Sequence, residues 1–444
     1  MTIRFGTDGV RGPVNTQITA EVALAVGRAT ARVFAADRVV IGRDTRLSGS
    51  MLEAAVAAGV TSEGADAVLL GVVPTPAVAV VSSRDGVPGV VISASHNPFR
   101  DNGLKVFAPG GRKLSDDEQS AVEAAIAAVA AGASPSVDGE NVGVVRSDPG
   151  ALDSYATAVI DTLGGRDLSG MRIVLDCANG ANSVVAAQVV RSLGAVVEVI
   201  SDRPDGRNIN ADCGSTHPSA LQQAVRDSGS DLGLAFDGDA DRLVAVDSAG
   251  DVVDGDQIIA LCALDLAARG ELANDTVVVT VMSNLGFLRA MRSAGIRVEQ
   301  TPVGDRYVLE ALAQGGHTLG GEQSGHIIFA DRSTTGDGLL AAVTLADLVK
   351  RSGQPLSDLA AEAMTRLPQV LLNVAVDSPM PDVADRIAGA LAAAEAELAD
   401  DGRVLVRPSG TEAVVRVMVE ATEPTVARRV AEELSAQVRS ASAG

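Results

Sequence analysis

Three related α/β domains followed by a smaller C-terminal α+β domain are the fold this sequence predicts. Short Val/Ile/Leu runs alternate with Ala-rich helical stretches, and this strand–helix–strand rhythm begins three times. The last stretch breaks the rhythm and reads β-α-β-β-α. At 444 residues the chain exceeds one core, given ~150 residues per domain. The expected domains are 1–150, 151–253, 254–368 and 369–444. Apolar residues make up 46% and aromatics 2% with no Trp, which leaves the cores to Ala, Val, Leu and Ile.

In the first domain Val39-Val40-Ile41, Val68-Leu69-Leu70 and Val90-Val91-Ile92 read as strands. Ser50 with Glu53 reads as a capping box opening a helix, and Ser115 with Glu118 as another for a helix through Ala131. Residues 132–150 turn polar and rich in Gly, Pro and Ser, which marks a boundary. The second domain has a strand at Arg172-Ile173-Val174-Leu175, a turn at Asn179-Gly180, a helix over 183–193 and a strand over 196–200. Two further apolar strands cover 232–236 and 243–246. The third repeats the order with a strand over 276–281, a helix over 285–294 and a strand at Arg297-Val298-Glu299. In the tail, 370–376 reads as a strand, 382–398 as a helix, 403–406 and 414–419 as paired strands, and 424–438 as a closing helix.

The net charge of −21 argues against nucleic acid as a partner, because no Lys/Arg run exists to displace counterions from a phosphate backbone. A small anion must be held by local Arg, helix N-termini and metal, without help from the overall field. Three widely spaced cysteines, Cys177, Cys213 and Cys262, indicate neither a disulfide framework nor a zinc site. The start Met1-Thr2-Ile3-Arg4-Phe5 lacks a signal peptide's apolar core, and no apolar run nears the ~18 residues of a membrane span. No membrane contact is expected, and the cytoplasm is the expected location.

Four segments carry chemistry. Ser93-Ala94-Ser95-His96-Asn97-Pro98 places hydroxyls in a tight turn at the carboxyl end of a strand, where α/β sheets bind ligands. The bland alternative is a turn capped by its own hydroxyls. Asp237-Gly238-Asp239-Ala240-Asp241-Arg242 joins two apolar strands. Carboxylates at alternate positions of an extended segment point the same way, and three converging negative groups suit a hard divalent cation such as Mg2+. A calcium loop needs Gly at its sixth position and Glu at its twelfth, where Arg242 and Ser248 stand, so the competitor is a solvated acidic hairpin.

Gly320-Gly321-Glu322-Gln323-Ser324-Gly325-His326 combines glycines for close backbone approach with an acceptor (Glu322) and a hydroxyl (Ser324) suited to sugar hydroxyls. A glycine-rich bend is its alternative. Arg407-Pro408-Ser409-Gly410-Thr411-Glu412 offers backbone N–H groups, two hydroxyls and a bidentate Arg407, and Arg416 adds a second cation. That combination makes a phosphate cradle or, alternatively, a plain hairpin loop. Smaller pieces are Gly6–Gly12 carrying Arg11, Val303-Gly304-Asp305-Arg306, and Lys105, placed to return to the Ser95 mouth.

Together, from Gly6 to Glu412, these segments resemble the α-D-phosphohexomutases. The family's serine loop matches 93–98, its metal loop 237–242, its sugar loop 321–326 and its phosphate loop 407–412. The opening Phe5–Gly12, the segment Val303–Val308 and Gln323, where relatives acting on glucose or mannose phosphates more often carry Met, are similar to the branch acting on glucosamine phosphate. The resemblance implies four domains around a cleft, each giving one loop. It implies phosphorylation of Ser95, with Ser93 supporting the turn, and Mg2+ held by Asp237, Asp239, Asp241 and the Ser95 phosphate. Phospho-Ser95 would pass its group to glucosamine 6-phosphate, and the 1,6-bisphosphate would reorient and return its other phosphate. Glucosamine 1-phosphate would result, supplying UDP-N-acetylglucosamine and cell-wall synthesis.

By the same resemblance Lys105 and Arg11 would assist at the reacting end, with His96 or His326 in proton transfer. Glu322 and Ser324 would accept the hexose in two orientations. Arg407, Ser409, Gly410 and Thr411 would hold the distal phosphate, with Arg416, Arg242 and Arg306 as further substrate-binding residues. Glucose or glucosamine 1,6-bisphosphate is the implied activator, and a homodimer the implied assembly. The alternatives are a phosphomannomutase/phosphoglucomutase with the same machinery, a phosphatase in which water intercepts phospho-Ser95, and a non-catalytic sugar-phosphate sensor. The intact Ser95, Asp triad and Lys105 speak against the sensor.

Overall fold

A computed structural model describes residues 5–6, 8–408 and 413–442. Among these residues four sheets form, distributed over two compact units. One unit holds the described residues up to Met282 together with Gly295–Ala363, the other Ser283–Ala294 and the described residues from Met364 onward.

The first sheet of the larger unit runs in the order Val10–Pro13, Asp101–Ala108, Gly89–Ile92, Arg38–Arg43, Asp66–Val72, Val145–Ser147. Gly89–Ile92, Arg38–Arg43 and Asp66–Val72 lie parallel, and Asp101–Ala108 returns antiparallel beside Gly89–Ile92. Gly89–Ile92 is buried throughout, as its unbroken apolar run requires of a strand covered on both faces. The helices Ala20–Val33 and Gly49–Ser62 pack very closely. A Cβ on Gly27 would stand 2.2 Å from the Val56 carbonyl oxygen, and one on Gly59 the same distance from that of Leu24. Small residues thus do here what aromatics do in bulkier cores.

The second sheet runs Val252–Val253, Leu243–Asp247, Leu232–Phe236, Arg172–Asp176, Val196–Ile200, and the third Arg297–Thr301, Thr276–Thr280, Leu319–Gly321, Ile327–Phe329. In each, a parallel core ends in an antiparallel hairpin, Leu232–Phe236 with Leu243–Asp247 and Leu319–Gly321 with Ile327–Phe329. Those hairpins carry the acidic loop and the glycine-rich sugar loop.

The smaller unit is an antiparallel sheet with Val414–Ala421 between Gln369–Ala375 and Gly402–Pro408. The helix Pro424–Ser442 contributes Val430, Leu434 and Val438 to one core with Val415, Val417 and Val419 of the central strand. Fully buried Glu420 accepts from Arg403 Nε (2.7 Å), Leu285 N (2.8 Å) and Gln369 Nε2 (2.9 Å), which binds residues 283–294 into this unit.

The elements differ locally from the sequence expectation. The Ser115–Glu118 capping box opens the helix Asp116–Ala130. Ser50 and Glu53, however, lie inside a helix that begins at Gly49, and Glu53 accepts from Arg43 Nε at 3.1 Å in place of a cap bond. Residues 132–150 are more than a linker, since Val145–Ser147 adds a parallel strand beside Asp66–Val72. The helix over 183–193 splits into a 3-10 turn Ala181–Val184 and a helix Ala186–Ser192. Ala181 N–H donates to the Gly238 carbonyl at 2.8 Å, a long-range bond that takes the first turn out of register with the helix. The tail helix likewise breaks at Ile387. No helix among the described residues is long and apolar enough to cross a membrane.

Candidate active site

The strand Gly89–Ile92 delivers Ser93 and Ser95 to the end of the first sheet, both fully buried. Ser95 sits in the left-handed region at φ 51°, which costs an L-residue roughly 1–2 kcal/mol. Its surroundings offset that cost. Ser95 N–H donates to Ser93 Oγ at 2.9 Å, and Ser93 Oγ donates to Asp44 Oδ2 at 2.6 Å. Buried Arg46 donates through Nε to Asp44 at 2.9 Å and through Nη2 to the carbonyls of Ser95 and Asn97, both at 2.8 Å. Its Nη1 reaches the carbonyls of Pro98 and Asp101, and Asn210 Nδ2 adds a bond to the Ser95 carbonyl at 2.9 Å. One guanidinium therefore holds the loop's backbone from inside.

The acidic loop lies against this serine. Ser95 Oγ donates to Asp237 Oδ2 at 2.5 Å. Gly238 is required there, because a Cβ would stand 2.6 Å from the Ser95 carbonyl oxygen. Asp237, Asp239 and Asp241 are all buried and present one oxygen each within 4.8 Å of one another. They converge by a turn, not by the alternation of an extended segment. Ala240 is left-handed at φ 64°, and its N–H closes on the Asp237 carbonyl at 3.1 Å.

Lys105 faces the triad, with Nζ 2.7 Å from Asp239 Oδ2 and 3.3 Å from Asp241 Oδ2. Thr75 Oγ1 also donates to Asp239 Oδ2, at 2.7 Å. Burial disfavours the charge on Lys105, but Asp239, Asp8 and Asp241 outweigh it and hold the ammonium well above its ordinary value. Burial and the neighbouring Asp241 and Asp239 push the Asp237 carboxyl far up. Asp241 is held low, since Lys105 and His326 overcome its burial.

His96 Nδ1 lies 3.3 Å from Ser95 Oγ, and burial with the Arg242 and Arg11 cations brings this imidazole down to about 4. His326 lies 3.7 Å from Asp241. Burial opposes its charge, yet Asp241, Asp305 and Glu322 raise it to about 9. Gly336 N–H meanwhile points at its Nε2 from 3.2 Å, which asks for a lone pair there. The hydrogen bond describes the ring geometry, and a cation among the aspartates would remove the charge that raises the pKa. Arg11 pairs with Asp8, and Arg242 N–H donates to Asp237 Oδ1 at 3.3 Å.

In the sugar loop, Glu322 Oε1 accepts from Gly304 N–H at 3.2 Å, and Ser324 is exposed. Gly325, at φ 90°, brings the loop against the acidic hairpin, with its carbonyl accepting from Leu243 N–H at 2.9 Å. Arg306 stands apart from the cluster. Its side chain pairs with Asp116 and, at 2.8 Å, with Glu310, while its neighbour Asp305 turns toward His326. Arg407 and Arg416 lie in the smaller unit, directly opposite each other on antiparallel strands. Ser409, Gly410 and Thr411 lie outside the described residues.

The structure thus brings Ser95, His96, Lys105, Asp237, Asp239, Asp241, Arg11, Arg242 and His326 together. Sequence reasoning overlooked Asp44, Arg46 and Asn210, which brace the serine, and Asp8, which pairs with Lys105 and Lys113, the latter reaching on to Asp305. Asp44-Thr45-Arg46 does follow the strand Arg38–Arg43, whose end pairs in parallel with Ile92, and this adjacency was the available signal.

Models of the phosphoglucomutase/phosphomannomutase family match four stretches of the sequence: its α/β/α domain I over residues 2–132, domain II over 153–250, domain III over 254–367 and its C-terminal domain over 371–437. The chain belongs to this family of phosphohexomutases. Its fold is accordingly three α/β/α domains and a C-terminal domain, and it is a mutase, an isomerase by class. Similar proteins include a phosphoglucosamine mutase of Frankia alni, 54% identical with 99% of each chain covered, and one of Desulforudis audaxviator, 53% identical over 97% of this chain and 96% of the relative. Among solved structures, a phosphoglucomutase/phosphomannomutase family protein of Burkholderia thailandensis superposes with a TM-score of 0.82 at 25% identity, covering 100% and 99% of the two chains. The N-acetylphosphoglucosamine mutase of Aspergillus fumigatus, solved with GlcNAc-6P and magnesium, shares the fold at TM-score 0.71 and 19% identity, covering 100% and 96%.

The magnesium that the phosphohexomutase resemblance implies fits the residues present. Asp239 Oδ1 and Asp241 Oδ1 are buried without a hydrogen-bond partner among the described residues, while their Oδ2 atoms face Lys105. Two orphaned carboxylate oxygens beside a third buried carboxylate are costly unless a cation receives them.

Proposed function

We propose that this phosphohexomutase interconverts glucosamine 6-phosphate and glucosamine 1-phosphate through phospho-Ser95 and a 1,6-bisphosphate. The observation that carries the reading is the hydroxyl of Ser95 held 2.5 Å from Asp237, inside a buried aspartate triad and across from Lys105. The amino-sugar substrate is supported by full-length relatives named phosphoglucosamine mutase at 51–54% identity. UDP-N-acetylglucosamine and cell-wall synthesis would consume the product, and a cytoplasmic homodimer primed by glucose or glucosamine 1,6-bisphosphate completes the proposal. We take the four domains as 1–150, 151–253, 254–368 and 369–444.

Asp237, Asp239, Asp241 and the Ser95 phosphate would hold Mg2+, which supplies neutralisation of charge on the transferring phosphoryl group. The P–O bond to Ser95 Oγ breaks as a bond to a sugar hydroxyl oxygen forms; the sugar hydroxyl gives its proton to a neighbouring base, and Ser95 Oγ takes one up as it leaves. His96, 3.3 Å from Ser95 Oγ, is placed to relay the proton at the serine oxygen, with His326 as the second imidazole of the site. Lys105 and Arg11 stabilise the oxygens between donor and acceptor. Glu322 and Ser324 bind ring hydroxyls in either orientation, and Arg242 flanks the sugar. Arg407, Ser409, Gly410, Thr411 and Arg416 take the distal phosphate.

Ser95→Ala is expected to abolish isomerisation while the protein stays folded; turnover near that of the wild type would remove the phosphoserine. Substrate choice is decided by kcat/KM for glucosamine, glucose and mannose 6-phosphates. Glucosamine 6-phosphate should lead, and a clear preference for either neutral sugar would make the chain a phosphomannomutase/phosphoglucomutase with the same machinery.

A further inference from the structure

We propose that Lys113 and Asp305, which touch neither Ser95 nor the triad, are positioning residues that set Lys105 for phosphoryl transfer; the proposal rests on the phospho-Ser95 reading. Lys105 Nζ is shared by Asp239 Oδ2, Asp241 Oδ2 and, at 2.8 Å, Asp8 Oδ2. Asp8 is itself divided: Oδ2 also takes Arg11, and Oδ1 takes Lys113. Lys113 Nζ continues to Asp305 Oδ2 at 2.9 Å. Asp305 Oδ2 lies 3.7 Å from His326 Nε2, and His326 Nδ1 lies 3.7 Å from Asp241 Oδ2. The contacts close into a ring, Asp8–Lys105–Asp241–His326–Asp305–Lys113, built from loops, strands and one helix start around the three sheets of the larger unit.

Carboxylates alternate with basic side chains around this ring; Asp8 is shared between two ammonium groups, while His326 closes the ring through two looser contacts of 3.7 Å. The consequence for Lys105 follows from competition. The oxygens of Asp239 and Asp241 are in demand by any cation in the triad, and a cation weakens their pull on the ammonium. Asp8 is then the anion that keeps Lys105 facing the triad. With Oδ1 occupied by Lys113, Asp8 cannot rotate away, and Asp305 fixes Lys113 in turn. Buried polar networks are rigid when every member is satisfied and fail together when one is removed.

The test compares Lys113→Met, the isosteric Asp305→Asn and the double variant with wild type, measuring kcat, KM and thermal unfolding. Each single variant should lower kcat by about 10–100-fold, the usual effect of removing a residue that orients a reacting group. KM for the sugar phosphate should stay within about threefold, because neither side chain binds it. The double variant should lose no more than the worse single, as members of one network do. A folded Lys113→Met with unchanged kcat, or a loss confined to KM, overturns the proposal. If Lys113→Met does not fold, Asp305→Asn decides by the same criteria, and failure of both to fold assigns the ring to stability and also overturns it. Ser95→Ala run alongside separates the two readings: an active Ser95→Ala ends the phosphoserine reading, whereas an inactive one beside a fully active Lys113→Met ends only the positioning role.

Discussion

Arg46 shows how much one buried side chain can organise. Its guanidinium meets one carboxylate and four carbonyls, and no lysine can reproduce that planar set of donors. Arg46→Lys should leave several buried carbonyls unpaired and lower stability by about 3 kcal/mol in urea denaturation. The left-handed Ser95 should relax at the same time, so turnover should fall together with stability; an unchanged urea midpoint would contradict the bracing role. Ser95 and the aspartates were legible because they sit in contiguous segments whose residue types announce their chemistry. Arg46 was not, because an arginine after a strand is ordinary until the carbonyls it reaches, from Ser95 to Asp101, are brought to it by folding.

Among the elements, the two expected capping boxes had different fates for the same local pattern. Ser115 and Glu118 cap each other, whereas Glu53 is claimed by Arg43 of the adjacent strand. Glu118 also pairs with Arg112, but that partner leaves the cap in place, whereas Arg43 takes Glu53 within the body of its helix. Glu63, at the C-cap of Gly49–Ser62, shows the opposite extreme. It accepts from Arg28 Nε (2.5 Å), Arg32 Nε (2.7 Å) and Ser136 N–H (3.0 Å), joining two helices and the segment after a third. Burial raises its carboxyl, but the bonds from Arg32, Ser136 and Arg28 dominate and bring it from 4.5 down to about 2. With the folded value depressed, this contribution is present above pH 4.5 and is lost as pH falls toward about 2. Glu63→Gln should lower the urea midpoint at pH 7 and flatten its decline between those limits. Parallel curves for variant and wild type would exclude the linkage.

At the scale of the whole molecule, the larger unit converges three sheets on one cluster of charge, and the metal requirement should report on that convergence. Removal of divalent cations should abolish turnover and Mg2+ should restore it. Asp239→Ala, which deletes an orphaned oxygen and a Lys105 partner, should lose Mg2+-dependent turnover by at least the roughly 10–100-fold seen for supporting residues. An unchanged Mg2+ dependence in that variant would remove the triad from the metal site. By itself the sequence determined the α/β class, the order of the strands and the segments that carry chemistry, because alternation of apolar runs and short loop motifs are local properties. It also singled out Ser95, the aspartates and Lys105. Only the tertiary structure decided that the acidic loop turns instead of extending, that Arg306 faces Asp116 while Asp305 faces His326, and that Asp8 pairs with both Lys105 and Lys113. Those contacts join residues up to roughly two hundred positions apart, and a charged side chain's partner is set by which loops the sheets bring to the same end, information that no local pattern contains.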